Sequence, residues 1–258
     1  MNENSLASNL RARSQVRRAF SLVELLVVMA IIAILVGLSV ASIKGLQDSG
    51  NITQAANNIT GVLENARAYA MANNTYVWVG FYEEATTSAG ASALHNQAPP
   101  YKAPAVGRLV IGVAAALDGT SSLTTTNLTA VQKLTIIPNI HLTNINTTLA
   151  PAASNTSLPN NLAGRPLADS FLDSEDSSTS SELPSATESF QLNNYQFYKA
   201  ICFNPQGGAE METPNKVLQH AIEIGLVPTH NGAVNTTTKN LVALQITGAV
   251  GSVKIYRQ

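Results

Sequence analysis

The sequence predicts an α+β fold: one long N-terminal helix, apolar in its first half and amphipathic in its second, packed on an antiparallel β head. Three observations predict it. Residues 20–43 form an apolar run in which Glu24 is the only charge. From Ile52 onward the apolar residues step by three and four. Beyond Asn74 the pattern changes to short β-branched and aromatic runs divided by Gly, Asn and Pro.

As a helix, the first run is about 36 Å long at about 1.5 Å per residue, enough to cross the ~30 Å hydrocarbon core of a bilayer. Arg11, Arg13, Arg17 and Arg18 precede it, opposed only by Glu3. Basic residues stay on the cytoplasmic side. Residues 1–19 are therefore expected in the cytoplasm and everything after Lys44 outside. The run exceeds the ~7–15 residues of a secretory h-region, and Ala41-Ser42-Ile43 is a poor cleavage site. In a plain signal-anchor, Glu24 lies one turn inside the membrane and reaches back to the headgroups at a cost of ~1–3 kcal/mol.

The second half of the helix is carried by Ile52, Ala55, Ala56, Ile59, Val62, Leu63, Ala66 and Ala70, one stripe at helical spacing. Glu64 and Arg67 lie off it, and no proline occurs from Gly37 through Ala98. One helix is expected from about Ser21 to Asn73, its apolar stripe packed on a sheet. Gly37, Gly45 and Gly50 each weaken it by ~1 kcal/mol relative to Ala.

Strand signals follow at 76–82, 107–117, 133–142, 195–203, 220–227, 241–247 and 251–256, the last two reading as a hairpin around glycines. Residues 84–105 read as a loop. Residues 147–189 are rich in Ser, Thr, Asn and Pro, and are expected to be a long polar surface loop that builds no core.

The chemistry the chain excludes is as informative. Net charge is −1 and only 12% of residues are charged, which argues against a nucleic-acid partner. Cys202 is the single cysteine. It permits no intrachain disulfide and, between Ile201 and Phe203, reads as a small buried hydrophobe. His95, His141, His220 and His230 are scattered without zinc-ligand spacing. No P-loop, Gly-x-Ser-x-Gly or Gly-x-Gly-x-x-Gly is present. Asp169, Asp173, Glu175 and Asp176 offer oxygen ligands, but their spacing is not that of an EF-hand. They read as a solvated acidic loop. No catalytic, cofactor-binding or metal residue is assigned, and the chain is not expected to be an enzyme.

Ala19-Phe20-Ser21-Leu22-Val23-Glu24-Leu25-Leu26-Val27 resembles the class III signal of type IV prepilins and type II secretion pseudopilins. The resemblance implies cleavage by a prepilin peptidase between Ala19 and Phe20 and N-methylation of Phe20. It makes Glu24 the fifth residue of the mature chain, where the family carries its glutamate. Ala19 stands where the family usually has Gly, and the leader is long for the family. The implied organisation is a cytoplasmic leader peptide at 1–19 and a transmembrane and filament-core helix segment at 20–43. An amphipathic continuation at 44–74 and a β-rich globular head at 75–258 follow. The new amine of one subunit would pair with Glu24 of its neighbour, offsetting two desolvation costs and setting axial register. A lone buried carboxylate would mostly protonate instead. The three helix glycines would then allow local melting as a subunit enters a filament.

Phe203-Asn204-Pro205-Gln206-Gly207, a later strand and then Ile246-Thr247-Gly248 resemble the H-type minor pseudopilin and FimT-like group. Ala249 stands where that group commonly has a basic residue. The two resemblances together imply a pilin-like fold and a structural subunit of a type IV pilus-like or type II secretion pseudopilus filament. The implied partners are a prepilin peptidase and N-methyltransferase, other pilin or pseudopilin subunits, an inner-membrane assembly platform with its ATPase, and membrane lipid. No cofactor is implied, and calcium is the one ion the acidic cluster would admit. The implied location is the bacterial inner membrane, single-pass, with the N-terminus cytoplasmic and the head periplasmic, and after assembly a periplasmic or surface filament. The competing expectation is a membrane-anchored exported binding or enzymatic domain, which has no need of Glu24.

Overall fold

The computed structural model describes residues 21–84, 108–123, 125–143, 145, 165–166, 168–172, 190–197, 199–211, 219–230, 233–234 and 240–257, with backbone only at 38–49, 84, 199, 230 and 233–234. The fold is α+β, as the sequence predicts. The chain divides into two compact units, Met1–Leu46 and Gln47–Gln258.

Helix α1 runs Leu22–Asn73. In the first unit its large apolar side chains from Leu22 to Val36 are all exposed. In the second unit the predicted stripe is the buried face: Ile52, Ala55, Ala56, Ile59, Val62, Leu63, Ala66 and Ala70 all lie in the core. The helix stops because Asn74 takes the left-handed conformation (φ 49°), which Asn tolerates better than most residues. Thr75 N–H then turns back to the carbonyl of Ala70 at 3.1 Å, closing a Schellman motif on the last carbonyls.

The head begins with β1 (Val77–Glu84) and β2 (Arg108–Ala116), then β3 (Leu128–Ala130), β4 (Thr135–Pro138) and β5 (Ile140–Thr143). After them come β6 (Ser170–Leu172), β7 (Phe190–Leu192), β8 (Tyr195–Phe197), β9 (Lys199–Phe203) and β10 (Ala209–Met211). The last are β11 (Ala221–His230), β12 (Ala233–Val234), β13 (Val242–Thr247) and β14 (Val253–Arg257). A first sheet has the order β10-β9-β1-β2-β3, with β4 also on β2. A second has the order β12-β11-β13-β14, with β5 and β6 also on β11. The predicted glycine hairpin is β13–β14, paired from Ile246↔Val253 to Val242↔Arg257.

Alternation along the strands sorts the side chains into two layers. Val77, Val79, Phe81, Leu109, Ile111 and Val113 face one core with the helix stripe and with Ile222, Ile224, Leu226, Val242, Leu244 and Ile246 of the second sheet. Trp78, Tyr82, Val110, Ala114 and Cys202 face the other way, under the β7–β8 hairpin. There Gly80 sits opposite both Gly112 and Ala200, so three central strands carry almost no side chain in one row. Phe190 and Phe197, stacked at 5.1 Å, occupy that row. A Cβ at Gly80 would meet Phe190 Cζ and Phe197 Cγ at 2.6 Å, and one at Gly112 would meet Phe197 at 2.7 Å.

Three expectations need correction. Residues 133–142 are two strands, not one: Asn139 at φ 59° turns the chain from β4 on the first sheet to β5 on the second. Residues 195–203 likewise divide into β8 and β9, which belong to different sheets. Part of the polar segment 147–189 does build core. Ser170–Leu172 pairs parallel with β11 at Ile222–Ile224, and Arg165 is buried. A buried carboxylate on β11 makes that possible: Glu223 Oε1 accepts from Arg165 Nη1, and Glu223 Oε2 accepts from Gln245 Nε2 at 2.8 Å. Residues 147–164 and 173–189 lie outside the described residues, as does the loop reading for 85–105.

Candidate functional site

Ala19 and Phe20 lie outside the described residues; Glu24 lies inside them, in the first turn of α1. Ser21 is the residue before the helix. Its Oγ accepts the N–H of Glu24 at 3.2 Å, and its own N–H donates to Glu24 Oε2 at 3.4 Å. Leu25 N–H reaches the Ser21 carbonyl at 3.2 Å, the first helical bond. This is a reciprocal capping box, which satisfies two of the donors a helix start leaves bare. The carboxylate also lies at the positive end of the helix dipole. Sequence reasoning placed Glu24 by its position in the apolar run and missed its capping role, although the Ser-x-x-Glu spacing carries that signal. Glu24 uses Oε2 on Ser21, so Oε1 stays open among the described residues to a cation.

Beyond Ser21, the side chains described around this carboxylate are apolar. Leu22, Val23, Leu25, Leu26 and the large apolar side chains on to Val36 stand exposed, an apolar patch of the kind that marks an interaction surface. Among the described residues no helix is long and apolar enough to cross a membrane. The side chains described in this half end at Gly37, while the apolar run in the sequence goes on to Ile43.

The second motif folds into two interlocked turns. In the first, Asn204 Oδ1 accepts from Gln206 N–H at 3.0 Å and Gly208 N–H at 2.8 Å, and Gly207 takes φ 84°. In the second, Gly251 at φ 63° donates to the Thr247 carbonyl at 2.6 Å. Ala209 N–H joins the two through the Gly248 carbonyl at 2.7 Å. A side chain at Gly251 would collide with the Gly207 carbonyl and one at Gly207 with Met71 Sδ, and both residues hold positive φ, so each turn favours glycine. The end of α1 holds them: Glu64 Oε1 accepts the N–H of Val253 at 3.2 Å and Oε2 pairs with Arg67 Nη1 at 3.3 Å.

The remaining candidates do not come together. Asp169 accepts from His220 N–H and donates its own N–H to the Ala221 carbonyl at 3.0 Å, so it serves β6. Asp173, Glu175 and Asp176 lie outside the described residues. His141 Nδ1 is 3.2 Å from Glu83 Oε1, where Glu83 also receives the N–H of Leu142 and ties β1 to β5. His95 and the side chain of His230 lie outside the described residues. Cys202 is buried. Among the described residues no three His, Cys, Asp or Glu side chains gather as a metal site.

Residues 15–40 match the model of the prokaryotic N-terminal methylation motif. The match spans Arg17 and Arg18, the Ala19-Phe20 bond, the capping box and most of the apolar run. No curated protein and no solved structure matches the chain. The methylation motif supports a type IV pilin or pseudopilin-like subunit.

Proposed function

We propose that the chain is a minor pilin or pseudopilin, a structural subunit of a type IV pilus-like or type II secretion pseudopilus filament. The observation that carries the reading is the methylation motif at residues 15–40, with Glu24 in the first helical turn behind it. A prepilin peptidase cuts between Ala19 and Phe20, and the new Phe20 amine is methylated. The subunit sits in the bacterial inner membrane through residues 20–43, N-terminus cytoplasmic and head periplasmic. An inner-membrane platform then moves it into a filament.

Glu24 is the assembly contact. Its open Oε1 receives the Phe20 amine of a neighbouring subunit, while the capping box keeps the carboxylate at the helix start. Two charges that would each be costly in an apolar interior are offset by one another. The exposed apolar helix half supplies the packing surface for membrane lipid first and for other subunits afterwards. The interlocked turns at Asn204–Gly208 and Thr247–Gly251 support placing the head with the H-type minor pseudopilin and FimT-like group. The chain catalyses nothing; its chemistry is confined to being processed.

Intact mass and N-terminal peptide analysis of protein from its native membranes tests the processing. A peptide beginning at Phe20 and heavier by one methyl group is expected. An uncut chain beginning at Met1 would overturn the proposal in favour of an anchored head. Glu24→Leu tests the assembly role: membrane insertion stays, and incorporation into filaments is lost. Filaments that still contain the Glu24→Leu subunit would remove that role.

A further inference from the structure

Where α1 ends against the two turns, one sulfur and one nitrogen stand ready for a chemistry that filament assembly does not use. Met71 is 42% exposed. Its Sδ packs against the α-carbon of Gly207: a Cβ there would come within 2.7 Å of the sulfur and 3.3 Å of Arg67 Nε. The sulfur and the nitrogen are therefore no farther apart than those two distances laid end to end. Arg67 precedes Met71 by one helical turn, so the two side chains share a face. Arg67 Nη1 is taken by Glu64, but Arg67 Nε is buried and has no acceptor among the described residues. A buried donor left without an acceptor is costly, and a thioether sulfur is a weak one.

We propose that Met71 is a methionine oxidation site, and that the sulfoxide oxygen is received by the Nε–H of Arg67. The oxidant is a two-electron oxygen donor of the peroxide class. A sulfur lone pair attacks one peroxide oxygen, the O–O bond breaks and an S–O bond forms. The proton on the transferred oxygen passes to the departing hydroxide. The thioether is oxidised to the sulfoxide and hydrogen peroxide is reduced to water. The other sulfurs described in this unit are shielded, Met211 at 5% exposure and Cys202 at 4%. Oxidation replaces an apolar spot beside Gly207 with a polar one. Arg67 is then held at two points, by Glu64 on Nη1 and by the sulfoxide on Nε.

The test uses the full chain in detergent micelles, treated with graded hydrogen peroxide and mapped by peptide mass. The Met71 peptide should gain one oxygen roughly tenfold faster than the Met211 peptide, and denaturant should bring the two rates together. Equal rates in the folded protein would overturn the site. Thermal unfolding then reads the role of Arg67. Oxidation should leave the wild-type midpoint almost unmoved. It should lower that of Arg67→Lys, which keeps the charge for Glu64 but loses the Nε–H, by roughly 2–4 °C. Met71→Leu should not respond. Equal responses of wild type and Arg67→Lys would remove Arg67 from the proposal.

Discussion

Replacing Arg165 by methionine tests whether a stretch of polar sequence has become part of the core. Glu223 is 1% exposed. Its Oε1 accepts from the Arg165 guanidinium and its Oε2 from Gln245 Nε2 at 2.8 Å. Gln245 also donates to the Pro166 carbonyl at 2.7 Å, so the carboxylate and its two partners form one buried network. Arg165→Met leaves a buried carboxylate with a single neutral donor. Breaking such a pair from one side costs ~3–5 kcal/mol. At roughly 2–4 °C per kcal/mol for a chain of this size, the unfolding midpoint should fall by about 6–20 °C. Adding Glu223→Gln removes the stranded charge and should recover most of that loss, a coupling that the double-mutant cycle reads directly. The assay is thermal unfolding of the full-length protein in detergent, followed by circular dichroism. An Arg165→Met midpoint within ~2–4 °C of wild type, a loss of only ~1 kcal/mol, would mean that Arg165 is not buried against Glu223. The burial of Arg165, and of Ser170 and Leu172 beyond it, would then have no ionic anchor.

Gly80→Ala should place a methyl group into the rings of Phe190 and Phe197, 2.6 Å from each. Overpacking of this kind costs ~1–3 kcal/mol, and the hairpin should lift enough to speed labelling of Cys202, the only thiol in the chain. An unchanged labelling rate and midpoint would mean that the hairpin does not sit in the glycine row. Asp118 supplies a pH test. Its carboxyl is held below the ordinary value of 3.8, first by the Asn127 side chain and then by Thr120. A depressed folded pKa adds stability above the unfolded value and loses it as pH falls through the folded one. Wild type should therefore exceed Asp118→Asn near neutral pH, and the two midpoints should approach each other as pH falls below 3.8. Parallel midpoint curves across that range would refute the shift.

The part of the molecule legible in advance is the part governed by local pattern. A stripe at steps of three and four specifies which face of a helix is buried, and every one of its eight positions from Ile52 to Ala70 is in the core. The Ser-x-x-Glu spacing at Ser21 was equally local. Strand existence was mostly legible from β-branched and aromatic runs, but breaks within runs were not. At Asn139, and again between β8 and β9, the chain changes sheets.

What lay beyond the sequence is pairing over distance. Local pattern alone decided the helix, its apolar and amphipathic halves, its stop at Asn74 and the methylation motif at its start. Each of these depends on residues within a few positions of one another. Only the tertiary structure decided that Gly80 and Gly112 make room for two phenylalanines. It also decided that Glu64 on the helix caps the edge of β14, and that Arg165 is buried against Glu223. Those contacts join residues 58 to 189 positions apart. Their energies come from burial and charge compensation that exist only after the sheets have closed on the helix.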